Sequence, residues 1–416
     1  MSREERAGMD ILWDEATRQL VAETRDFLHQ DVPADLIRRM DREEVRFAKD
    51  FIRAAARRRL LGPRFPEQYG GRGLPWTAEV AAIEEVGVLG TALGCNFVMP
   101  SIVGEALHVF GSEEQKRKYL AAILRAELFC AEALTEPRGG SDFFGATCRA
   151  QRDGNHFVLR GHKRFIVGGE GADVFLVYAR TGQQGPGRNS LSAFLVERDG
   201  RVKVEYLYGL MGTRGGGTAR IFFDDVRVPA QNLVGPLDGG AEVFNRMMVP
   251  ERLTSAAASV GLGRAALEVA ARYSTRRRAF GQPINRFQGV SFRVADSITR
   301  LDAARALVWL AARQADSGSD PRRLVSEAKK FATQACWDSV NDAMQVMGGI
   351  GYTHVYPIER FLRDARLALI WTGTNEIMNL LIQHEYYREL ARLGPAGRDV
   401  EADAVAESGE AEKVFE

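Results

Sequence analysis

The spacing of hydrophobic positions changes twice along the chain. Up to about residue 127 it is helical: Leu20, Thr24, Phe27 and Leu28 form one stripe, and residues 78–89 form another ahead of Gly90. Pro63, Pro66 and the run Gly70-Gly71-Arg72-Gly73 predict a loop between them. From about 128 to 230 the period falls to two. Strands are expected at 128–134, 146–152, 156–160, 162–167, 174–179, 191–197, 202–208 and 219–224, with a hairpin turn at Asp153-Gly154. So many short strands with no helix among them predict an antiparallel barrel or sandwich. Beyond Gly239-Gly240 the helical period returns. Ala256, Val260, Gly263, Leu267 and Ala270 share one face, and Val294, Ile298, Leu301, Ala304, Val308 and Ala311 share another. Two more helices are expected, over 321–347 (stopped by Gly348-Gly349) and 375–392, making an up-down four-helix bundle. The expected class is therefore α+β: a helical domain over 1–127, a β domain over 128–238 and a four-helix bundle over 239–394. The acidic remainder, 395–416, has almost no bulky apolar residues and is expected to be disordered.

Composition narrows the function by exclusion. The 416 residues carry 56 Lys and Arg against 55 Asp and Glu, a net charge of +1, which argues against a nucleic-acid or polybasic membrane partner. The four cysteines are scattered without CxxC spacing, so neither a disulfide framework nor a thiolate zinc site is expected. The six histidines contain no HExxH or HxxxH pair, and no metal is expected. The first twenty residues are charged throughout and lack the apolar stretch of a secretory signal. No apolar run approaches the ~18 residues of a membrane span. A cytoplasmic protein is the expectation.

Two glycine-containing segments invite a cofactor reading. Gly261-Leu262-Gly263-Arg264-Ala265-Ala266 matches a loose dinucleotide fingerprint, but it follows no strand and lies in a helical stripe, so close helix packing explains it better. Ala133-Leu-Thr-Glu-Pro-Arg-Gly-Gly-Ser-Asp142 ends a strand and opens a turn with hydroxyls at Thr135 and Ser141. Such a turn suits a phosphate or the polar edge of a ring cofactor. By itself it serves equally well as a tight connection between strands.

That segment does not stand by itself. Together with Phe165-Ile-Val-Gly-Gly169, Met211-Gly-Thr-Arg-Gly-Gly-Gly-Thr218 and Phe222-Phe-Asp-Asp-Val-Arg-Val-Pro229, it closely resembles the acyl-CoA dehydrogenase family. Arg277-Arg-Ala-Phe-Gly-Gln-Pro283, Gln345-Val-Met-Gly-Gly-Ile-Gly-Tyr352 and Trp371-Thr-Gly-Thr-Asn-Glu-Ile377 continue the match in order, from about residue 15 to 393. The resemblance implies non-covalent FAD between the β domain and the bundle. Leu134 and Thr135 would meet the pyrimidine edge of the flavin, Ser141 the pyrophosphate, and Phe165 the isoalloxazine in place of the family's usual Trp. Arg277, Phe280, Gln345 and Gly349 would reach the cofactor from a neighbouring subunit, with Thr374 and Glu376 supporting it from their own. A homo-oligomer, in this family most often a dimer of dimers, follows from that sharing.

The sequence departs from the family twice. The commonest pattern has a catalytic Glu directly before the Gly-Thr of the last motif, where this chain has Thr372, whose hydroxyl is no general base near neutral pH. A minority resembling isovaleryl- and long-chain acyl-CoA dehydrogenases places the Glu on a bundle helix just before an Arg. Glu251, in Pro250-Glu251-Arg252-Leu253, is thus the candidate base, with Arg252 beside it on the substrate side. The bland alternative is a first-turn Glu favoured by a helix dipole, whose pKa that dipole would lower. The second departure is Val167, where the family often has a Thr whose hydroxyl bonds flavin N5; only its backbone N–H remains to reach the flavin O4.

The implied activity is α,β-dehydrogenation of an acyl thioester, on coenzyme A or an acyl carrier protein, with electrons passed to an electron-transfer flavoprotein. The backbone N–H of Thr372 would polarise the thioester carbonyl. Trp371 is either a wall of the acyl pocket or a core aromatic. Val167 and Thr372 leave two rivals: a flavin oxidase or monooxygenase on the same scaffold, and a flavin-binding member without catalysis.

Overall fold

The computed structural model describes residues 12–182, 187, 190–393 and 397–398. The expected disordered tail, apart from those last two residues, lies outside the described residues, as does much of the 181–190 loop. The α+β architecture is the one expected. The N-terminal part packs α1 (Glu15–Gln30), α2 (Leu36–Asp41), α3 (Lys49–Arg57), α4 (Trp76–Gly87) and α5 (Thr91–Phe110). It closes with α6 (Glu113–Gln115) and α7 (Ala121–Leu124), joined by one π-helical stretch over Lys116–Leu120. Leu20, Thr24 and Phe27 of the α1 stripe are buried, and Asp14 caps the helix by accepting from the Thr17 N–H at 2.8 Å.

One expectation fails in α5. Its 20 residues are long and apolar enough to cross a membrane, with mean hydropathy 1.3 over the most apolar window. Yet 78% of that window is buried inside the protein, which makes α5 the apolar-all-round helix of a core.

The middle part is one eight-stranded sheet of β1 (Cys130–Ala133), β2 (Arg149–Asp153), β3 (His156–Ile166), β4 (Val174–Arg180), β5 (Leu191–Glu197), β6 (Val202–Leu207), β7 (Ala219–Pro229) and β8 (Leu233–Val234). The β2–β3 hairpin turns after Asp153, which pairs with His156. Most pairs are antiparallel, but β1 runs parallel to β4, with Cys130 opposite Val174 and Glu132 opposite Leu176. The two strands expected at 156–160 and 162–167 are one long strand with a bulge, since the register to β7 shifts between Leu159 and Gly161. Side chains on β1 alternate between two cores. Ala131 and Ala133 join the interior of the sheet domain, whereas Cys130 joins the helical core with α5. Glu132 therefore shares the Cys130 face and points toward the helices.

The C-terminal part holds α8 (Gly240–Arg276), α9 (Gln288–Asp316), α10 (Arg322–Met347) and α12 (Asn375–Leu393), and a helix that the pattern had not suggested, α11 (Ile358–Ala368). On α9, Leu301, Ala304, Val308 and Ala311 are buried as expected, but Ile298 is 43% exposed. The glycines of Gly261-Leu262-Gly263 serve packing. A Cβ on Gly261 would lie 2.0 Å from the Glu84 carbonyl oxygen, and one on Gly263 2.7 Å from Leu301. Around this close α4–α8 crossing, Arg264 donates to Glu84 at 2.8 Å and Glu85 at 3.1 Å, and Arg305 of α9 donates to Glu84 at 2.8 Å. Buried arginine–glutamate pairs thus lock the N-terminal helices onto the bundle.

Candidate active site

The turn after β1 is held by a buried ion pair. The Lys163 ammonium, fully buried on β3, donates to the Leu134 carbonyl at 3.0 Å and the Glu136 carboxylate at 2.9 Å. Glu136 also accepts from the Thr147 and Cys148 N–H groups. Burial works against its charge, but the Lys163 charge and these N–H groups hold its carboxyl below the ordinary range. Neither residue was singled out in the sequence, and together they fix the segment carrying Leu134, Thr135 and Ser141. Within it, Glu136 and Gly139 exchange backbone bonds, while the N–H groups of Thr135, Gly140 and Ser141 donate to nothing among the described residues. Those unused donors suit an anionic or carbonyl-rich ligand.

Phe165 follows on the bulged end of β3, at φ +57°, with 48% of its surface exposed. Its ring lies 4.6 Å from that of Tyr208. Val167 lines a small cavity with Cys95, Asn96 and Met99 of α5 and with Cys130.

Glu251 is not a first-turn residue. It lies well inside α8, just after an internal Pro250, so the helix N-terminus does not act on it and the expected depression of its pKa is absent. Burial instead pushes its carboxyl above the ordinary range, against an opposing hydrogen bond from Glu132 and the charge of Arg252. Glu132 had not been identified from the sequence. Its carboxyl lies within hydrogen-bond reach of Glu251, and burial and then repulsion from Glu251 push it well above the usual carboxylate range. Both residues are partly buried. Tyr178 of β4 completes the group. It is fully buried, its hydroxyl lies within hydrogen-bond reach of the Glu132 carboxyl, and burial and then the charges of Glu132 and Glu251 raise its pKa. Cys95 senses the same carboxyl, its thiol pushed up by burial and then by Glu251.

The 371–375 turn sits beside this pair. Arg252, buried next to Glu251, donates to the Thr372 carbonyl at 3.4 Å and to Ser326 at 3.2 Å. Lys329 donates to the Gly373 carbonyl at 2.8 Å and to Asn375 at 3.0 Å; burial, helped by Arg252, lowers its pKa to about 7. Trp371 is tied to α8 by a 2.8 Å bond from its indole N–H to Ser255. Thr372 adopts φ +53°, its N–H donates to nothing among the described residues, and its hydroxyl is buried without a partner. Thr374 caps α12, accepting from the Ile377 N–H at 3.3 Å, and Glu376 is exposed beside it. Arg277, Phe280, Gln345 and Gly349 all lie on the surface, Phe280 with 95% of its area exposed.

Comparison with known proteins explains this layout. The N-terminal, middle and C-terminal domain models of acyl-CoA dehydrogenase match residues 14–127, 131–226 and 238–386. The chain belongs to the acyl-CoA dehydrogenase family. An acyl-CoA dehydrogenase of Bacillus subtilis (strain 168) is 36% identical over 362 residues, covering 86% of this chain and 94% of that one. A chain in the structure of the electron transferring flavoprotein of Acidaminococcus fermentans superposes with a TM-score of 0.86 at 31% identity, over 90% of this chain and 99% of that one. The FAD complex of PigA superposes at 0.84 and 27% identity, over 90% and 98%. This family member is an oxidoreductase whose cofactor is FAD. The unused N–H groups of the Thr135–Ser141 turn and the exposed Phe165 ring fit that cofactor.

Proposed function

We propose that this acyl-CoA dehydrogenase family member removes hydrogen across the α,β bond of an acyl-CoA, with Glu251 as the base. The observation that carries this reading is the placement of Glu251: a half-buried carboxyl whose pKa is raised by desolvation and whose neighbour Arg252 holds the carbonyl of Thr372. A general base works best with its pKa near the operating pH, and burial moves Glu251 in that direction. FAD, when bound, supplies the acceptor for the β-hydride.

The chain's own residues do the rest. The Thr372 N–H is available to polarise the thioester carbonyl, which acidifies the α-carbon. Arg252 and Lys329 hold the two peptide planes that follow that N–H, and Trp371, anchored on Ser255, forms a wall of the acyl site. Leu134, Thr135, Ser141, Phe165 and the Val167 N–H would hold the flavin half of the cofactor, with Thr374 and Glu376 nearby. Arg277, Phe280, Gln345 and Gly349 would hold the remainder from a second copy, which accounts for their exposure and implies a homo-oligomer such as a dimer of dimers. Electrons would leave to an electron-transfer flavoprotein, the kind of protein named for one solved-structure neighbour. Coenzyme A is favoured over an acyl carrier protein by the family's matches.

Anaerobic mixing of the holoenzyme with a panel of acyl-CoA thioesters tests the reading. Flavin bleaching with at least one of them is expected. Product that forms only with oxygen would instead favour the oxidase that Val167 suggests, and no reaction with any thioester would leave a flavin-binding protein without catalysis.

A further inference from the structure

Asn96 is the polar exception on an otherwise apolar stretch of α5. It is 2% exposed, and neither its amide nitrogen nor its amide oxygen has a hydrogen-bond partner among the described residues. Its backbone carbonyl lacks the usual helix donor as well, because Pro100, four residues on in the same helix, has no N–H. Buried polar groups are normally paired, and leaving a carboxamide unpaired is costly. The same residue lines the cavity of about 10 Å³ that Val167 and Gly168 also border. The other walls are largely apolar, among them Phe47, Met99 and Phe129. A cavity of that size has room for about one water, and a buried water settles where polar groups can hold it. Asn96 offers it both a donor and an acceptor.

We propose that one water, held in this cavity by the Asn96 carboxamide, hydrogen-bonds the N5 edge of the bound flavin, so that Asn96 helps to set the flavin's reduction potential. The inference rests on the reading that residues 165–167 lie against the flavin with the Val167 N–H on O4, and not on the identity of the base. In the isoalloxazine ring O4 and N5 are neighbouring polar atoms on one edge, so a group in the cavity beside residue 167 is placed to meet N5. The Val167 side chain is hydrocarbon and has nothing to offer that atom. Oxidised N5 accepts a hydrogen bond, whereas reduced N5–H donates one. A water backed by a carboxamide serves both states by turning over, because the carboxamide can either accept from it or donate to it. In an apolar surrounding such a bond is electrostatically stronger than it would be in water, and its loss is felt correspondingly.

The midpoint potential of the holoenzyme, measured anaerobically against a reference dye during reduction by dithionite, tests this without any acyl-CoA. Asn96→Leu is close in shape and removes the amide. It is expected to bind FAD normally and to change the ratio of oxidised to reduced flavin at a fixed potential by about tenfold, equivalent to about 30 mV for a two-electron couple. Val167→Thr in the Asn96→Leu background puts a hydroxyl into the cavity wall and is expected to recover at least about half of that shift. An unchanged potential in Asn96→Leu, or a shift that the added Thr leaves as it was, overturns the inference. If Asn96→Leu fails to fold, a crystal structure of the wild-type holoenzyme decides the matter. Density for one water within hydrogen-bond distance of both the Asn96 amide and flavin N5 supports the inference, and a dry cavity or a water out of reach of the flavin overturns it. Because no thioester enters these measurements, a shift that Thr restores supports the inference even if no acyl-CoA bleaches the flavin and the dehydrogenase reading fails. A chain that takes up no FAD overturns both.

Discussion

At the scale of single residues, the site turns on how few groups titrate and how closely they are coupled. Glu251 and Glu132 both have carboxyls raised by burial, so the folded protein holds protons more tightly than the unfolded chain. Their contribution to stability is therefore greatest below the ordinary carboxylate value of 4.5 and declines as pH rises toward the folded values. Glu132→Gln removes one of these titrations, so its thermal midpoint is expected to fall less than wild type between pH 5 and pH 8, measured by calorimetry. Identical pH dependence would mean that Glu132 does not titrate in the fold. Val167 makes a second residue-level point. A Thr there adds a hydroxyl that costs stability unless it finds a partner. If position 167 faces the flavin, Val167→Thr shifts the flavin spectrum or reduction potential; an unchanged holoenzyme spectrum and potential would place residue 167 away from it.

At the scale of elements, the 371–375 turn is the part most dependent on its supports. Lys329→Met leaves the Gly373 carbonyl without its side-chain donor and the Asn375 side chain with only the Thr333 hydroxyl, a loss of about 1–3 kcal/mol. A lower thermal midpoint and a raised KM for acyl-CoA are expected, with FAD content unchanged. Wild-type KM would show that the turn holds its shape without the lysine. This scale also shows what could be read from the sequence. The helical stripes of α1, α8 and most of α9 were legible because their spacing is local. The motif residues were legible through resemblance. Glu132 was not, because its meaning depends on which side of β1 faces α5, and that is set by the non-local parallel pairing with β4. Glu136 and Lys163 lie 27 residues apart in sequence and meet only through the sheet. Helix α11 had local evidence, with Ile358, Phe361, Ala365 and Ala368 buried at helical spacing after Pro357. The dipole argument for Glu251 failed for a different reason: a Pro can sit within a long helix as well as at its start.

At the scale of the whole molecule, the largest apolar core joins the N-terminal helices, one face of the sheet and α8, which fixes Glu251 on α8 relative to Glu132 on β1, and hydrogen bonds from α8 and α10 hold the turn before α12 beside them. The outer face of the C-terminal part is different. Phe280, Tyr352, Val355, Leu380 and Tyr387 are all more than half exposed, as expected of a surface that meets another copy. Phe280→Asp places a charge there, and a smaller species with less bound FAD is expected by light scattering and absorbance. An unchanged assembly with full FAD would remove Phe280 from the shared cofactor site. The central claim is the role of Glu251, and anaerobic stopped-flow reduction of the Glu251→Gln holoenzyme by a substrate that bleaches the wild type tests it most directly. The variant keeps the shape and loses the proton acceptor, so FAD content should be normal and reduction at least about 100-fold slower, roughly 3 kcal/mol of barrier. Reduction at the wild-type rate would contradict the account.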